Sequence, residues 1–400
     1  MGIGNIATTG MEAAMTNMEV ISNNISNANT PAFKSSFTNF ADLYPSGNAS
    51  SVQAGLGVSV SGIQQTFSPG GPLPTNLPSD LAIINNGFFI MRDTTSGQTS
   101  YSRYGRFSFN NGYLTIGNDR LQGFPAVNNV IPPGSTPSDL FINTTSIPAQ
   151  ATTTIDQEQL NLNASDSSPV NPIFNPNDDT SYNFVSTAAV YDSLGNNNTL
   201  DLYYIKTSAN NWTVNAYVNG SSVGVGSLTF DGAGQLISST GLSSLSFSPT
   251  SGATSPQTFA VDMAGATQFA KAYNTSAFTT NGYQAGNYSS YNVDVNGNVT
   301  VTYDNNQTFT VGQIALALFQ SPEGLQNIGN MSWLATTSSG SPLINQSNSQ
   351  NALQQSAIEM SNVDLASEMV NLVSAQNIFQ ANAQVEQTYN QVMQTVTNLG

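Results

Sequence analysis

Residues 4–31 read Gly4-Asn-Ile-Ala-Thr-Thr-Gly-Met-Glu-Ala-Ala-Met-Thr-Asn-Met-Glu-Val-Ile-Ser-Asn-Asn-Ile-Ser-Asn-Ala-Asn-Thr-Pro31. This stretch predicts a helix from Gly4 to about Ala28, because small or apolar side chains recur in alternating steps of four and three, as in a coiled-coil seam. The seam residues are Ala7, Met11, Ala14, Met18, Ile21 and Ile25. Pro31 ends the pattern, since the residue before a proline is pushed out of the helical region.

The other end of the chain has the same character. From Ser361 to about Leu399 it contains no proline and no glycine, and Ser361 with Asp364 predicts the helix start. Such a helix would be about 55 Å long. Its apolar positions form two runs with a slip of register between them: Leu365, Met369, Leu372 and Phe379, then Val385, Tyr389, Val392, Val396 and Leu399.

Two amphipathic ends without a core of their own need a partner. Isolated helices are marginal in water because nucleation is costly, and seams rich in alanine bury little apolar area. We therefore expect both ends to be disordered in the monomer and to fold when many copies assemble. The alternative is that the seams are ordinary core packing within one chain.

The middle of the chain predicts β structure. Asn-Gly pairs, which favour hairpin turns, occur at positions 86–87, 111–112, 219–220, 281–282 and 296–297. Alternating or β-branched stretches such as Leu200–Ile205 and Val299–Tyr303 lie between them. Proline-containing segments at residues 69–78 and 165–179 punctuate the blocks.

These patterns predict a multidomain, mainly β fold with long terminal helices. The helices would form a coiled-coil-like inner domain, and one β domain would be inserted into another. The predicted boundaries are residues 1–29 and 356–400 for the helical domain, 30–74 for a connector, 75–148 and 280–355 for an inner β domain, and 149–279 for the inserted outer β domain.

Composition excludes several classes of function. The net charge of −16, from 23 acidic and 7 basic residues, argues against nucleic-acid binding, which needs basic patches. The chain has no cysteine and no histidine, which removes thiolate metal sites and Ser-His catalysis. We expect no cofactor and no metal. No apolar run reaches the roughly 18 residues of a membrane span, so no membrane insertion is expected.

Two patterns could indicate a chemical function, a calcium site or a hydrolase, but a structural interpretation of each is favoured. Asp294-Val-Asn-Gly-Asn298 could suggest a calcium loop, but the remaining ligands are missing, so a hairpin turn is expected. A carboxylate pair for glycoside hydrolysis stays open, although most glutamates fall near the terminal helices. A secreted hydrolase or adhesin is thus an alternative class, and an enzyme is not expected.

Several blocks resemble a known family. The stretch Ser22-Asn-Asn-Ile-Ser-Asn-Ala-Asn-Thr-Pro-Ala-Phe-Lys34 resembles the N-terminal signature of flagellar rod and hook proteins. The signature positions here are Asn23, Asn24, Ile25, Asn27, Asn29, Thr30, Pro31, Phe33 and Lys34. Further blocks are similar and stand in family order: Asp80–Phe89, Tyr101–Phe107, Leu121–Phe124 and Ser361–Ala383.

Three positions depart from the family pattern. Ala32 and Asn85 stand where the family usually has glycine, and Asn377 stands where it usually has arginine. The central block, with Val190-Tyr-Asp-Ser-Leu-Gly195, resembles the outer domain of hook proteins. A distal rod protein or another axial component, which lacks such an insertion, is the alternative within the family.

The resemblance implies a structural subunit that polymerises into the flagellar hook. This would be a curved hollow tube that acts as a universal joint and carries motor torque to the filament. The implied partners are other copies of the chain, the distal rod, hook cap and hook–filament junction proteins, and the flagellar type III export apparatus. The implied location is extracellular, with export that needs no cleaved signal peptide, since the first residues lack the regions of such a signal.

Overall fold

The structure is a computed structural model that describes residues 3–44, 55–157, 159–275, 278–346 and 352–399. Within these residues the helices are α1 (Ile3–Ser26) and α2 (Leu365–Leu399), with short 3₁₀ turns at Asp179–Ser181 and Pro322–Gly324. The remaining parts of the predicted domains, including residues 1–2, 45–54, 347–351 and 400, lie outside the described residues.

Strands make up most of the chain between the helices. The first group is β1 (Ser36–Asp42), β2 (Val58–Gln65), β3 (Pro72–Pro74), β4 (Leu81–Ile83), β5 (Phe88–Asp93), β6 (Thr99–Ser102), β7 (Ser108–Asn110), β8 (Tyr113–Ile116), β9 (Asp119–Pro125) and β10 (Ser138–Asp139). The second group is β11 (Thr154–Asp156), β12 (Leu160–Asn163), β13 (Phe184–Tyr191), β14 (Asn197–Ser208), β15 (Asn211–Val218), β16 (Ser221–Phe230), β17 (Leu236–Thr240), β18 (Leu245–Phe247), β19 (Gln257–Asp262), β20 (Ala266–Phe269), β21 (Asn274–Thr275) and β22 (Thr279–Thr280). The last group is β23 (Tyr288–Val293), β24 (Asn298–Tyr303), β25 (Thr308–Leu318), β26 (Gln326–Gly329), β27 (Ser332–Leu334), β28 (Leu343–Gln346), β29 (Leu353–Gln355) and β30 (Ala357–Glu359). The predicted mainly β chain with a long helix near each end is confirmed.

The first of two compact units comprises Met1–Asn143, Tyr291–Val301 and Phe309–Gly400. Its largest sheet runs β23-β24-β25-β9-β5-β6-β27-β26, and β7, β8, β10 and β28 pair beside this path. An aromatic cluster fills the core: Phe67 and Phe88 both meet the Trp333 ring edge-on, with ring centroids 5.5 and 5.8 Å away. Edge-to-face pairs of this kind add to the stability that comes from area burial.

The second unit comprises Thr144–Ser290 and Thr302–Thr308. Strands β13 to β17 form an antiparallel meander in chain order, joined in the unit by the sheets β18-β19-β11-β22 and β20-β12-β21. Alternate residues of β14, such as Leu200, Leu202 and Tyr204, are fully buried. This period of two is expected for an antiparallel sheet with one face on a core.

The connector contains an element that the sequence did not reveal. Strands β1 and β2 pair as an antiparallel two-stranded sheet, with Ser36 opposite Gln65 and Asp42 opposite Val58. Phe37 and Phe40 are exposed on this hairpin. Val58-Ser-Val-Ser61 does alternate as a strand would, but in β1 a bulge after Asn39 breaks the period of two, and Phe37 and Phe40 lie three residues apart.

Only some of the Asn-Gly pairs form the predicted hairpin turns, namely those whose flanking strands pair with each other. Asn111-Gly112 and Asn219-Gly220 have positive φ at both positions and join β7 to β8 and β15 to β16, as two-residue hairpins require. The hairpin prediction is wrong at residues 86–87 and 281–282, since the flanking strands pair elsewhere. At these positions the Gly87 carbonyl accepts a hydrogen bond from Arg103, and the Asn281 side chain accepts hydrogen bonds from the backbone amides of residues 153 and 154.

The Asp294 loop is a hairpin turn. One carboxylate oxygen of Asp294 accepts from the Asn296 and Asn298 amides at 2.9 and 2.8 Å, and the other accepts from the Asn298 side chain. Asp192 and Asp231 accept from the amides two and four residues ahead in the same way. These carboxylates are used by local backbone donors, which is the ordinary role of aspartate in turns.

The terminal helices pack antiparallel. A Cβ on Gly4 would lie 2.9 Å from the Tyr389 ring, and one on Gly10 would lie 2.8 Å from the Asn382 side chain. At the other end Asn24 donates to Glu368. Helix α2 begins at Leu365 instead of Ser361, because Asp364 caps it by accepting from the Ala366 amide at 3.0 Å.

Replacing Leu202 by alanine should lower the free energy of unfolding of the second unit by about 3 kcal/mol, because the side chain is fully buried and a cavity would remain. Urea unfolding followed by Trp212 fluorescence, in a W333F background, measures the loss. Leu194→Ala, at an exposed position, is the control. Equal effects of the two substitutions would contradict this description of the core.

Candidate assembly site

Helix α1 turns a face of small and branched side chains inward. The predicted seam lies on it: Ala7, Ala14 and Ile21 are buried, and Met11, Met18 and Ile25 are half-buried. The same face buries Ala13, Val20 and Asn24, which the prediction missed. A helix of 3.6 residues per turn buries a stripe wider than a strict heptad line.

Helix α2 faces α1 with a mixed polar and apolar line. Seven of its less exposed positions, beside which Ala383 lies, step by four and three without a slip: Glu368, Leu372, Ala375, Phe379, Asn382, Glu386 and Tyr389. The predicted slip of register is therefore absent from this line. The prediction followed apolar residues only, whereas three inward positions are Glu368, Asn382 and Glu386.

Many apolar side chains of α2 remain exposed although α2 packs against α1. The exposed apolar residues are Leu365, Met369, Val370, Val373, Ile378, Val385, Val392, Met393 and Val396. Five of them belong to the predicted polymerisation seam, and the side chain of Leu399 lies outside what the structure describes. A monomer seldom exposes so many apolar side chains along one helix unless they serve an interaction.

Asn24 joins the end of α1 to the rest of its unit. Its amide nitrogen donates to the Ser36 carbonyl at 2.8 Å and to Glu368 at 3.0 Å. Its amide oxygen accepts from the Ser36 amide at 2.9 Å. One buried side chain thus fixes α1, β1 and α2 together, so this signature asparagine has a structural role that an aspartate or a leucine could not fill.

A buried ionic cluster lies where the signature meets the β strands. Glu359 bridges two cations: Lys34 at 2.7 Å from one carboxylate oxygen and Arg103 at 2.6 Å from the other. The Gly70 amide adds a hydrogen bond at 2.7 Å. All three charged side chains are at most 2% exposed.

Each cation of this cluster is also bound to backbone carbonyls. Lys34 donates to Ser68 at 2.8 Å, and Arg103 donates to the carbonyls of Asn85 and Gly87, both at 2.7 Å. A buried charge is tolerated only when it is paired and its remaining donors are satisfied. The cluster therefore connects five segments: the signature, the segment before β3, the loop between β4 and β5, the segment after β6, and β30.

Burial perturbs the lysine of the cluster. Loss of hydration is the largest cause and lowers the pKa of Lys34 to about 8; the Glu359 carboxylate opposes this shift, and the Arg103 guanidinium adds to it. The group thus gives up its proton nearer neutrality than a solvated lysine does.

Asn362 completes the junction. Its side chain accepts from the Ser35 amide and donates to the Thr66 carbonyl, both at 2.8 Å. Ala32 has φ of 60°, a left-handed conformation, and its amide donates to the Glu359 carbonyl. That conformation explains why glycine suits this position.

The other signature residues serve the helix end and the turn. Asn27 donates to the Asn23 carboxamide at 2.8 Å, and the Thr30 hydroxyl donates to Asn27 at 3.0 Å. Pro31 and Phe33 are half-buried, and Asn29 is exposed. Asn377 is exposed on α2.

The described residues include no cluster of three potential metal-binding side chains, and neither described helix is long and apolar enough to cross a membrane.

A helix pair that exposes many apolar side chains, and that a buried junction joins to β strands, has the form of an assembling subunit. Three family descriptions match the chain in order: Flagella basal body rod protein over residues 5–34, Flagellar basal body protein FlaE D2 domain over 161–283, and Flagellar basal body rod FlgEFG protein C-terminal over 354–399. The class is that of the flagellar axial proteins.

The chain belongs to the FlgE family of flagellar hook proteins, so the resemblance seen in the sequence is confirmed. It is 37% identical over 404 residues to the flagellar hook protein FlgE of Escherichia coli (strain K12), covering 98% of each chain. Identity is 36% over 406 residues with the protein of Salmonella typhimurium, again with 98% of each chain covered. The family is one of structural hook proteins, not of enzymes, and is part of the bacterial flagellum.

A solved structure shows the same fold. The crystal structure of the Helicobacter pylori flagellar hook protein FlgE2 matches with a TM-score of 0.53 at 12% identity. The match covers 72% of this chain and 99% of that one.

Replacing Glu359 by glutamine should lower the free energy of unfolding by about 4 kcal/mol, because Lys34 and Arg103 would be left buried without a counter-charge. Urea unfolding followed by Trp333 fluorescence measures the change. Asp139→Asn is the matched control, since Asp139 also faces two arginines but keeps 22% of its side chain exposed, and the substitution should cost clearly less, about 1 kcal/mol. Similar losses in both variants would refute a special role for the cluster.

Lys34 should make stability rise with pH. Above about pH 8 the folded chain releases the Lys34 proton, whereas the unfolded chain keeps it up to the ordinary value of 10.5. The unfolded state then binds more protons, so the free energy of unfolding increases with pH across this window. The stability of the wild type minus that of Lys34→Met should therefore grow between pH 7.5 and 10, and a flat or falling difference would contradict the assignment.

Proposed function

We propose that this chain polymerises into the curved hollow tube of the flagellar hook and there acts as a universal joint that carries torque to the filament. The observation that carries the proposal is the number of apolar side chains on α2 that are exposed although α2 already packs on α1. If other copies cover these side chains, each Å² of apolar area removed from water stabilises the assembly by roughly 25 cal/mol. Family membership supports the same conclusion.

The helix pair is proposed as a coiled-coil-like inner domain, with residues 1–29 and 356–400. The four-three stepping of inward positions on α2 supports this arrangement. Residues 30–74 would be the connector, 75–148 with 280–355 the inner β domain, and 149–279 an outer β domain nested in it. The predicted seam residues stay part of the proposal in two roles. Those exposed on α2 are proposed contacts between copies, and those buried on α1, namely Ala7, Ala14 and Ile21, are contacts within the helix pair.

The proposed partners follow from the position of a hook in a flagellum. The chain would add to the distal rod under a hook cap, and junction proteins would follow it. Export through the flagellar type III apparatus, without a cleaved signal peptide, is part of the proposal. A chain with no cysteine needs no oxidative step after export.

A distal rod or other axial component is the alternative. The match of residues 161–283 to the FlaE D2 domain favours the hook, because that block is the insertion by which hook subunits are expected to differ from rod subunits. The full-length relatives named hook proteins favour it also.

Deletion of residues 365–400 should abolish polymerisation and leave the β strands folded. The cut retains Glu359 and Asn362, which hold the junction through Lys34, Ser35 and Arg103. Electron microscopy of the full-length and shortened chains tests for tubes, and near-ultraviolet circular dichroism tests for folding.

Deletion of residues 1–30 is the companion experiment, because it removes α1 and keeps Lys34. Both shortened chains should remain soluble and folded while the full-length chain forms tubes. Tubes from either shortened chain would show that the helix pair is not needed for assembly.

A further inference from the structure

The loop between β4 and β5 holds the buried guanidinium of Arg103 with its main chain. The carbonyls of Asn85 and Gly87 both accept from Nη1 of Arg103, at 2.7 Å each. Asn86 stands between these two carbonyls in the chain. Its side chain is exposed, and no hydrogen bond joins it to the described residues. Asn86 also lines a cavity of about 640 Å³ with Gly87 and Arg103, so water reaches this loop.

An asparagine followed by glycine can lose its side-chain nitrogen without an enzyme. The Gly87 backbone nitrogen gives its proton to hydroxide and attacks Cγ of Asn86. The new C–N bond closes a five-membered succinimide, and the Cγ–Nδ2 bond breaks to release ammonia, which takes its proton from water. Water then opens the ring at either carbonyl, which leaves aspartate or isoaspartate. A glycine favours this reaction because it has no Cβ to hinder the ring.

Backbone conformation protects two of the other Asn-Gly pairs. Asn111 and Asn219 both have φ of 49°, a left-handed conformation that turns the nitrogen of the next residue away from the side chain. The Asn219 carboxamide is also held at both ends, since it accepts from the Thr199 amide at 2.9 Å and donates to Asn198 at 2.8 Å. Asn86 is not among the residues with positive φ.

Hydrogen bonds protect the remaining two pairs. The Asn281 carboxamide accepts from the backbone amides of residues 153 and 154 and donates to the Thr153 hydroxyl at 2.7 Å. Next to Asn296, the Gly297 nitrogen donates its proton to the Asp294 carbonyl at 2.9 Å. In each case a bond of the folded chain must break before the ring closes.

Two features of the loop favour the reaction at Asn86. Gly87 has φ of 130°, which residues with a side chain rarely adopt, so the fold requires the small neighbour that ring closure needs. During the attack the Gly87 nitrogen becomes an anion. The guanidinium of Arg103, bound to the carbonyl of the same residue, favours a negative charge there.

We propose that Asn86 is a site of spontaneous deamidation and that isoaspartate at this position loosens the hold of the loop on Arg103. Isoaspartate adds one methylene, about 1.5 Å, to the main chain between the two carbonyls that Arg103 binds. The two carbonyls then no longer both reach one nitrogen. Because the Arg103 side chain is 2% exposed, water does not replace the lost partner. The modification needs no polymer.

Peptide mapping tests the site. The full-length chain is kept folded in mildly alkaline buffer and digested, and mass spectrometry then measures the deamidated fraction at each Asn-Gly pair. Isoaspartate is counted with protein isoaspartyl methyltransferase and a radiolabelled methyl donor. Asn86 should react at least about tenfold faster than Asn219 and Asn281, because those side chains must first break their hydrogen bonds.

The same incubation in urea is the control for the fold. All of these asparagines are followed by glycine, so the unfolded chain should deamidate at similar rates at each pair. If the folded chain deamidates no faster at Asn86 than at Asn219 and Asn281, the site is overturned.

The effect on Arg103 is tested by comparing aged chains. Wild type and Asn86→Gln, both in a Trp212→Phe background, are incubated together and unfolded in urea under Trp333 fluorescence. Glutamine must close a six-membered ring and reacts more slowly, so its midpoint should stay constant. In the aged wild type, a fraction equal to the isoaspartate content should unfold at lower urea. Repair of isoaspartate to aspartate by the methyltransferase should remove that fraction.

Asn86→Asp separates the altered main chain from the added charge. It carries the carboxylate of the deamidated product on an unchanged backbone, and should unfold at the midpoint of the fresh wild type. If Asn86→Asp unfolds as early as the aged fraction, or if isoaspartate forms and the midpoint does not move, the proposed loosening of Arg103 is wrong.

Discussion

The carboxylate of Glu359 lies between Lys34 and Arg103 in a site that water does not reach. Removing three charges from water is costly, and the cost is offset only while every partner stays in place. The site therefore requires five separate segments to meet in one geometry. Because Lys34 follows α1 and Glu359 precedes α2, the same requirement sets where both helices leave the β strands.

Asn24 and Asn362 extend this constraint with neutral groups. Asn24 binds β1 and α2 at once, and Asn362 holds the backbone on both sides of the β1–β2 hairpin. Amides can donate and accept together, so each of them satisfies backbone groups that would otherwise be buried without partners. The junction is rich in such side chains because it joins loops. The backbone N–H and C=O groups of a loop have no neighbouring strand to bond with, so side chains bond with them instead.

The helix pair beyond the junction is built differently. Its inward line mixes Ala375 and Phe379 with Asn382 and Glu386, so burial within one chain contributes modest stability. The apolar residues that a stable monomer would bury are instead exposed on α2. The junction is stable within one chain, whereas the helix pair still has apolar surface to bury. Contacts between copies would therefore stabilise the helices most, as expected of a protein that gains stability by polymerising.

The family, the long helices near both ends and the β character of the middle could be predicted from the residues alone, because these features depend on local periodicity and on motifs. The sequence located Ala7, Ala14 and Ile21 on a buried face. It did not reveal the β1–β2 hairpin, the start of α2 at Leu365, or the polar residues of the inward line, and it placed two hairpin turns where the flanking strands do not pair. The meeting of Lys34, Arg103 and Glu359 could not be predicted in the same way. These residues lie far apart along the chain, and long-range pairing of charges leaves no trace in local spacing; only the packed fold brings them within hydrogen-bond distance.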